Sequence, residues 1–342
     1  MPRKPTQAQV YDDLLTRYGL EVADAFERAV ADIATAAELQ RLAAAIETGN
    51  LEAVVAALNL EQAAYSPLLE AIRTAYATSG ATAASYFPAR LVARFDVRNP
   101  RAERWLAEQS SRLVREIIAD QRVALRQALT AGMERGAGPK TVALEIVGRV
   151  NKATGQREGG ILGLTSQQEG YARAARAELE SGDPAQLRAY LDRKRRDKRF
   201  DRTIRKALAE ETPVPAETIR KAEAAYRTRL LQLRGQMIGR TESLTALRAA
   251  KHETYRQAVD KGQITESAIT RIWRDSSDLR VRHSHAVLDG KKVQGLSEPF
   301  RSPVTGALML YPGDRSFGAP ASELIGCRCD EEIRIDFFAE VV

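Results

Sequence analysis

Residues 216–260 read AETIRKAEAAYRTRLLQLRGQMIGRTESLTALRAAKHETYRQAVD. Tyr226, Leu230, Leu233, Met237, Thr241 and Leu244 recur there at three- and four-residue steps, which puts them on one face of a single long helix. Gly235 and Gly239 lie inside that stripe. Glycine weakens a helix interior, so each is expected either to admit another backbone closely or to mark a kink.

Working back from this helix, Thr212-Pro213-Val214-Pro215 is a stiff link. Before it comes a basic stretch from Arg188 to Lys206, and Gly182-Asp183-Pro184 breaks the helix that precedes that stretch. Ser166 followed by Glu169 reads as a capping box opening a helix to about Ser181. Residues 151–165 hold four glycines and no helical period, so they read as a loop or extended segment. A short helix is expected over 140–150, after a turn at Gly136-Ala137-Gly138-Pro139. A longer one should start near Pro100 and carry Trp105, Leu106, Leu113, Ile117, Leu125 and Leu129 to a stop before Gly132. Residues 6–77 are alanine-rich and helical in period, with breaks expected at Gly19, Gly49-Asn50 and Ser66-Pro67.

Downstream the texture changes. Ile269 to Asp275 is β-branched and aromatic, Asp278 is placed to cap one short helix carrying Arg280, Arg282, His283 and His285, and Asp289-Gly290 signals a turn. Lys292-Val293, Leu308 to Tyr311 and Arg328 to Ile335 are candidate strands. The fold class expected is mainly α: elongated helical N-terminal and middle regions (1–150 and 151–262) followed by a small α+β C-terminal domain (263–342).

At 342 residues, 44% apolar and 28% charged, the chain can bury a core without staples. No apolar run approaches the roughly 20 residues that cross a bilayer, and MPRKPTQAQ lacks a secretory apolar stretch. A soluble protein with no membrane partner is therefore expected. A disulfide across one residue would be badly strained, so Cys327 and Cys329 are expected as thiols. Net charge is +7, and Arg188 to Lys206 alone carries ten basic and three acidic residues. Arg188, Arg193, Lys194, Arg195, Arg196, Lys198, Arg199, Arg202, Arg205 and Lys206 form a stripe suited to DNA phosphates or an acidic protein surface. The interleaved Asp192, Asp197 and Asp201 speak equally for a solvated helix face.

Two of the three histidines and both cysteines fall within residues 280–329. Residues two apart on a strand share a face, so Cys327 and Cys329 can point at one ligand. With His285 and a carboxylate such as Asp289 they would suit Zn. The reading preferred on residue types alone is two buried thiols and a histidine in a polar network, with no cofactor required. For catalysis the candidates are a Cys–His pair, or His285 as general base with Arg280 or Arg282 as phosphate clamps. No P-loop, dinucleotide fingerprint, nucleophile elbow or zincin helix is present.

The run Arg280-Val-Arg-His-Ser-His285-Ala-Val-Leu-Asp-Gly290 resembles the signature of the phage Mu F-like head-morphogenesis family. Leu310-Tyr-Pro-Gly-Asp314, Glu323-Leu-Ile-Gly-Cys-Arg-Cys329 and, upstream, Ile238-Gly-Arg-Thr-Glu242 follow the same family order. The likeness covers roughly residues 236–335, and looser matches run through 151–165 and 195–201. It marks Arg240, Thr241, Glu242, Arg280, Arg282, His285, Asp289, Gly290, Tyr311, Pro312, Gly313, Asp314, Cys327, Arg328 and Cys329 as motif positions. The resemblance implies a minor, non-enzymatic head component of a tailed bacteriophage. Its place would be the portal vertex or head interior, after assembly in the host cytoplasm. Implied partners are the portal protein, the major capsid protein and scaffolding protein, with unspecific contact to packaged DNA. Some related chains carry fused toxin domains, and none is expected after Ile335. The rivals are a nuclease or toxin-like enzyme using the C-terminal His/Arg/Cys cluster, and a free DNA-binding protein acting through residues 188–206.

Overall fold

The computed structural model describes residues 6–88, 91 and 93–336. Its first helices are α1 (Gln7–Ala36), α2 (Leu39–Glu47), α3 (Leu51–Ala57), α4 (Ser66–Ser85), α5 (Pro100–Glu134) and α6 (Pro139–Val147). A short hairpin follows, β1 (Arg149–Val150) with β2 (Arg157–Glu158), and then α7 (Ser166–Glu180), α8 (Pro184–Asp192), α9 (Asp201–Glu210) and α10 (Ala216–Asp260). The remaining elements are β3 (Ile269–Arg274), α11 (His283–Ala286), β4 (Lys292–Gln294), β5 (Phe300–Arg301), β6 (Leu308–Met309), α12 (Ala321–Leu324) and β7 (Asp330–Ile335). The protein is mainly α, with small antiparallel sheets towards its C-terminus.

Two compact units form, one from three stretches of chain and the other from two. One comprises residues 1–24, 68–110 and 236–342; the other comprises 25–67 and 111–235. These units cut across the consecutive regions 1–150, 151–262 and 263–342, because α1, α5 and α10 each give a segment to either unit. Sequence texture follows neighbours along the chain, whereas a compact unit is set by contacts between distant residues.

In the first unit the sheet order is β4-β3-β7, all antiparallel, with Arg271 opposite Ile333 and Trp273 opposite Glu331. Ile269, Ile333, Leu296, Tyr255 and Phe87 pack on one side of the sheet region. Trp273, Leu288, Phe300, Met309, Leu324 and both cysteines form a second core. In the other unit, Leu179, Leu187, Tyr190 and Ile204 of α7 to α9 close on Ala222, Tyr226 and Leu230 of α10.

Several local expectations change. Gly19 does not break α1. A methyl group built on Gly239 would fall far inside contact distance of the Gly19 carbonyl oxygen and 2.8 Å from Ala23 N, so Gly239 marks a close approach to the backbone of α1, whereas Gly19 itself has open space around its Cβ position. Gly132 likewise stays inside α5, where a Cβ would crowd Val142. The capping box of α7 starts one residue early: Thr165 Oγ1 accepts from Gln168 N and Gln168 Oε1 accepts from Thr165 N, both at 3.1 Å. Ser166 is already helical. Asp278 caps a turn through Arg280 N and not α11, whose first residue is His283, so Arg280 and Arg282 precede that helix. Met237, placed on the apolar stripe by spacing, is 42% exposed, while Tyr226, Leu230, Thr241 and Leu244 are buried.

Candidate functional site

Gly326, at φ +67°, turns the chain out of α12 and sends Cys327-Arg328-Cys329 towards β7. The cysteines lie just before the strand and not in it, but the extended alternation still carries both inward: they are 4% and 3% exposed. Arg328 points the other way and pairs with Asp278. From α11, His285 Nδ1 comes within 3.4 Å of Cys327 Sγ and 3.3 Å of Cys329 Sγ. Its Nε2 lies 2.7 Å from Glu323 Oε2, although off the direction of a linear hydrogen bond, and Ser284 Oγ donates to the same oxygen at 3.0 Å. Trp273 packs edge-on against the imidazole with centroids 5.1 Å apart.

The thiols are unequal. A hydrogen bond from Cys329 pulls Cys327 well below the usual thiol range, assisted by Arg248 and His285 and opposed by burial. Cys329 is pushed up, first by that same bond to Cys327 and then by burial. Among the described residues, His285, Cys327 and Cys329 bring three donor atoms within 4.8 Å of one another, close enough to share an ion. Asp289 does not join them: it is exposed, and its Oδ1 accepts from Asp275 N at 3.0 Å.

The other motif positions wire loops together. Asp314 N donates to Tyr311 O at 2.9 Å, with Pro312 second and Gly313 third at φ +92°, the pattern of a type II turn. Asp314 then turns its carboxylate inward, taking bonds from Leu310 N at 2.8 Å and Ser316 Oγ at 2.6 Å. Gly290, at φ +74°, donates to Trp273 O, which ties the end of α11 to β3. Thr241 Oγ1 accepts from Gly326 N at 3.3 Å, Gln109 Nε2 donates to Glu242 at 2.5 Å, and Arg282 donates to Ile325 O at 2.6 Å. Arg240 is exposed, and partial burial together with Arg328 and Arg280 lowers its pKa. A nuclease arrangement would need His285 in a cleft with Arg280, Arg282 and Glu242 converging. Here His285 is 1% exposed, and Arg282 and Glu242 are committed elsewhere.

Five buried polar residues of this region escaped the sequence reading. Arg248 donates to Pro312 O and to Cys327 O, both at 3.2 Å, and so joins the tyrosine–proline turn to the cysteines. Arg271 donates to Gly295 O at 2.5 Å and also to Leu310 O and Glu298 O, with Glu331 3.7 Å away. Lys251 Nζ bonds Asp330 at 3.0 Å and also Glu331 O, and His252 stacks near Tyr311 with centroids 5.1 Å apart. Two signals were available. The three-to-four spacing of α10 continues from Thr241 and Leu244 through Arg248, Lys251 and Tyr255, and Glu331 stands on the same alternation as Cys327, Cys329 and Ile333.

The basic segment divides into two kinds of cation. Arg193 forms a fork on Glu178 with both contacts at 2.6 Å, and Arg196 forms one on Asp201 with both at 2.9 Å. Arg199 pairs with Asp197, Arg205 with Asp201 and Lys206 with Glu210. Arg188, Lys194, Arg195, Lys198 and Arg202 are exposed and make no ion pair among the described residues.

No described helix is long and apolar enough to cross a membrane. No curated protein and no solved structure gives a match to the chain. A model of the family described as phage Mu protein F like protein matches residues 123–331, which takes in the loop after α6, the basic segment, α10 and every motif of the histidine–cysteine region. That match covers more than half the chain, and the protein belongs to the phage Mu F-like family of head-morphogenesis proteins.

Proposed function

We propose that this phage head protein works as a minor structural component at the portal vertex or in the head interior, where it assists capsid assembly and DNA packaging or delivery. Its partners on this reading are the portal protein, the major capsid protein and scaffolding protein. The observation that carries the reading is how the motif residues spend their polar groups. Arg282, Asp314, Thr241 and Glu242 bond to the protein's own loops and helices, and the only thiols are buried. Burial keeps a thiol from acting as a nucleophile on an outside substrate. Such wiring makes a rigid part, which is what a docking component needs.

The five unpaired cations suit the same role, because exposed lysine and arginine attract packaged DNA without reading its sequence. The test is complementation of a phage lacking this gene. Loss of the chain should leave few infectious particles and heads that are malformed or short of DNA. Replacing Arg188, Lys194, Arg195, Lys198 and Arg202 with glutamine should leave the protein folded and lower DNA content per head. Normal head numbers, DNA content and infectivity without the chain would refute the proposal.

A further inference from the structure

We propose that His285 Nδ1, Cys327 Sγ and Cys329 Sγ bind one Zn ion, with a solvent oxygen in the fourth position. Zn–S bonds near 2.3 Å and a Zn–N bond near 2.0–2.1 Å at tetrahedral angles separate sulfur from nitrogen by about 3.5 Å. The two sulfur–nitrogen separations here are 3.4 and 3.3 Å and all three donors lie within 4.8 Å of one another, which matches one shared ion. Hydrogen bonding alone accounts for the arrangement less well. A neutral imidazole nitrogen has one lone pair, yet both sulfurs crowd the same Nδ1.

The far side of the ring supplies a second, independent observation. Glu323, only 2% exposed, places a carboxylate oxygen 2.7 Å from Nε2 and is itself held by Ser284. A carboxylate there favours the proton on Nε2 and leaves the Nδ1 lone pair aimed at the thiols. This is the outer support that metal-bound histidines use. Trp273 against the imidazole fixes its plane. The donor set selects the ion: two thiols and an imidazole suit Zn, and these three fall one ligand short of the four that hold an iron–sulfur cluster. Cys329 also borders a cleft of about 610 Å³ beside Arg248 and Lys251.

The full chain, purified under reductant without chelator, should carry about one Zn per molecule by plasma mass spectrometry. X-ray absorption at the Zn edge should show two sulfur neighbours and one imidazole. Cobalt(II) added to the metal-free protein should give a thiolate charge-transfer band in the near ultraviolet. Cys327→Ser with Cys329→Ser should abolish the bound Zn and the cobalt band, and Glu323→Gln should weaken metal affinity by about 10–100-fold while the chain stays folded. If the serine variant fails to fold, the cobalt titration of the native chain decides. A folded, reduced native chain that binds neither ion at micromolar concentration overturns the proposal, as does metal retained undiminished by the folded serine variant.

Discussion

Each unit of this protein buries arginine, and Arg248 and Arg271 of one are held differently from Arg227 of the other, where Arg234 stands between the two modes, donating to Gly163 O and to Asp120, both at 3.0 Å. In the unit holding the histidine–cysteine cluster, Arg271 and Arg248 sit at 0% and 3% exposure and donate to backbone carbonyls at Gly295, Pro312 and Cys327. In the other unit, Arg227 is 4% exposed and meets carboxylates: Glu169 at 3.0 and 3.2 Å, and Glu223 at 3.0 Å. Arg176 extends that network to Glu145, Glu180 and Glu223. The difference follows from the backbone. Helices satisfy their own carbonyls, so an arginine buried among α7 and α10 needs an anion brought by a neighbouring side chain. Between β3 and β7 the chain runs largely through turns and short strands. There the guanidinium fork supplies donors that regular structure does not. Glu223 shows the cost of the helical arrangement: burial raises its pKa, and Arg227 and Arg176 only partly offset the shift.

This contrast can be broken most sharply at Arg271. Arg271→Met should strand three carbonyls and Glu331 together, costing on the order of 4 kcal/mol, and Arg271→Lys should not restore it because an ammonium lacks the fork. Hydrogen exchange should show the loss in peptides of β3, β4 and the 295–311 loops. Arg227 should behave as a pair member instead. Arg227→Met alone leaves Glu169 buried with only Arg173 at 4.0 Å, at a cost of about 3 kcal/mol, while Arg227→Met with Glu169→Leu should recover most of that. Chemical denaturation followed by exchange in α7 and α10 checks it, and equal losses in the single and double variants would remove the distinction between the two cores.

Smaller effects sharpen the comparison at helix level. Thr165→Ala removes the cap of α7 and should cost about 1 kcal/mol, whereas Ser166→Ala should change stability little. Gly170 stands in α7 with open space around its Cβ position, so Gly170→Ala should stabilise by up to about 1 kcal/mol. Thermal unfolding of the three variants side by side measures both signs.

Much of this architecture was legible in the residues. The period of 216–260 gives α10 its observed ends, Gly182-Asp183-Pro184 follows the end of α7, and the alternation of Cys327 and Cys329 places both thiols inside. Thr165 was missed because two adjacent hydroxyl residues offer the same capping chemistry, and only backbone geometry picks one. Gly19 was misread because a glycine with open space around its Cβ position is tolerated inside a helix, and spacing alone does not separate that from a break. Arg248, Arg271 and Glu331 were missed for another cause. Sequence patterns assign charge to the surface, and the carbonyls that hold these guanidinium groups inside come from loops far along the chain. The family motifs were visible as an ordered set, yet the residues that bind them together, Arg248 above all, stand outside those motifs.

The account stands on this chain being a part of the head. Its most direct test is quantitative mass spectrometry of density-purified virions and immature heads from the phage that encodes it. The account predicts the chain in both, at a small fraction of the abundance of the major capsid protein. Absence from both kinds of particle, with the chain present in the lysate, would contradict it.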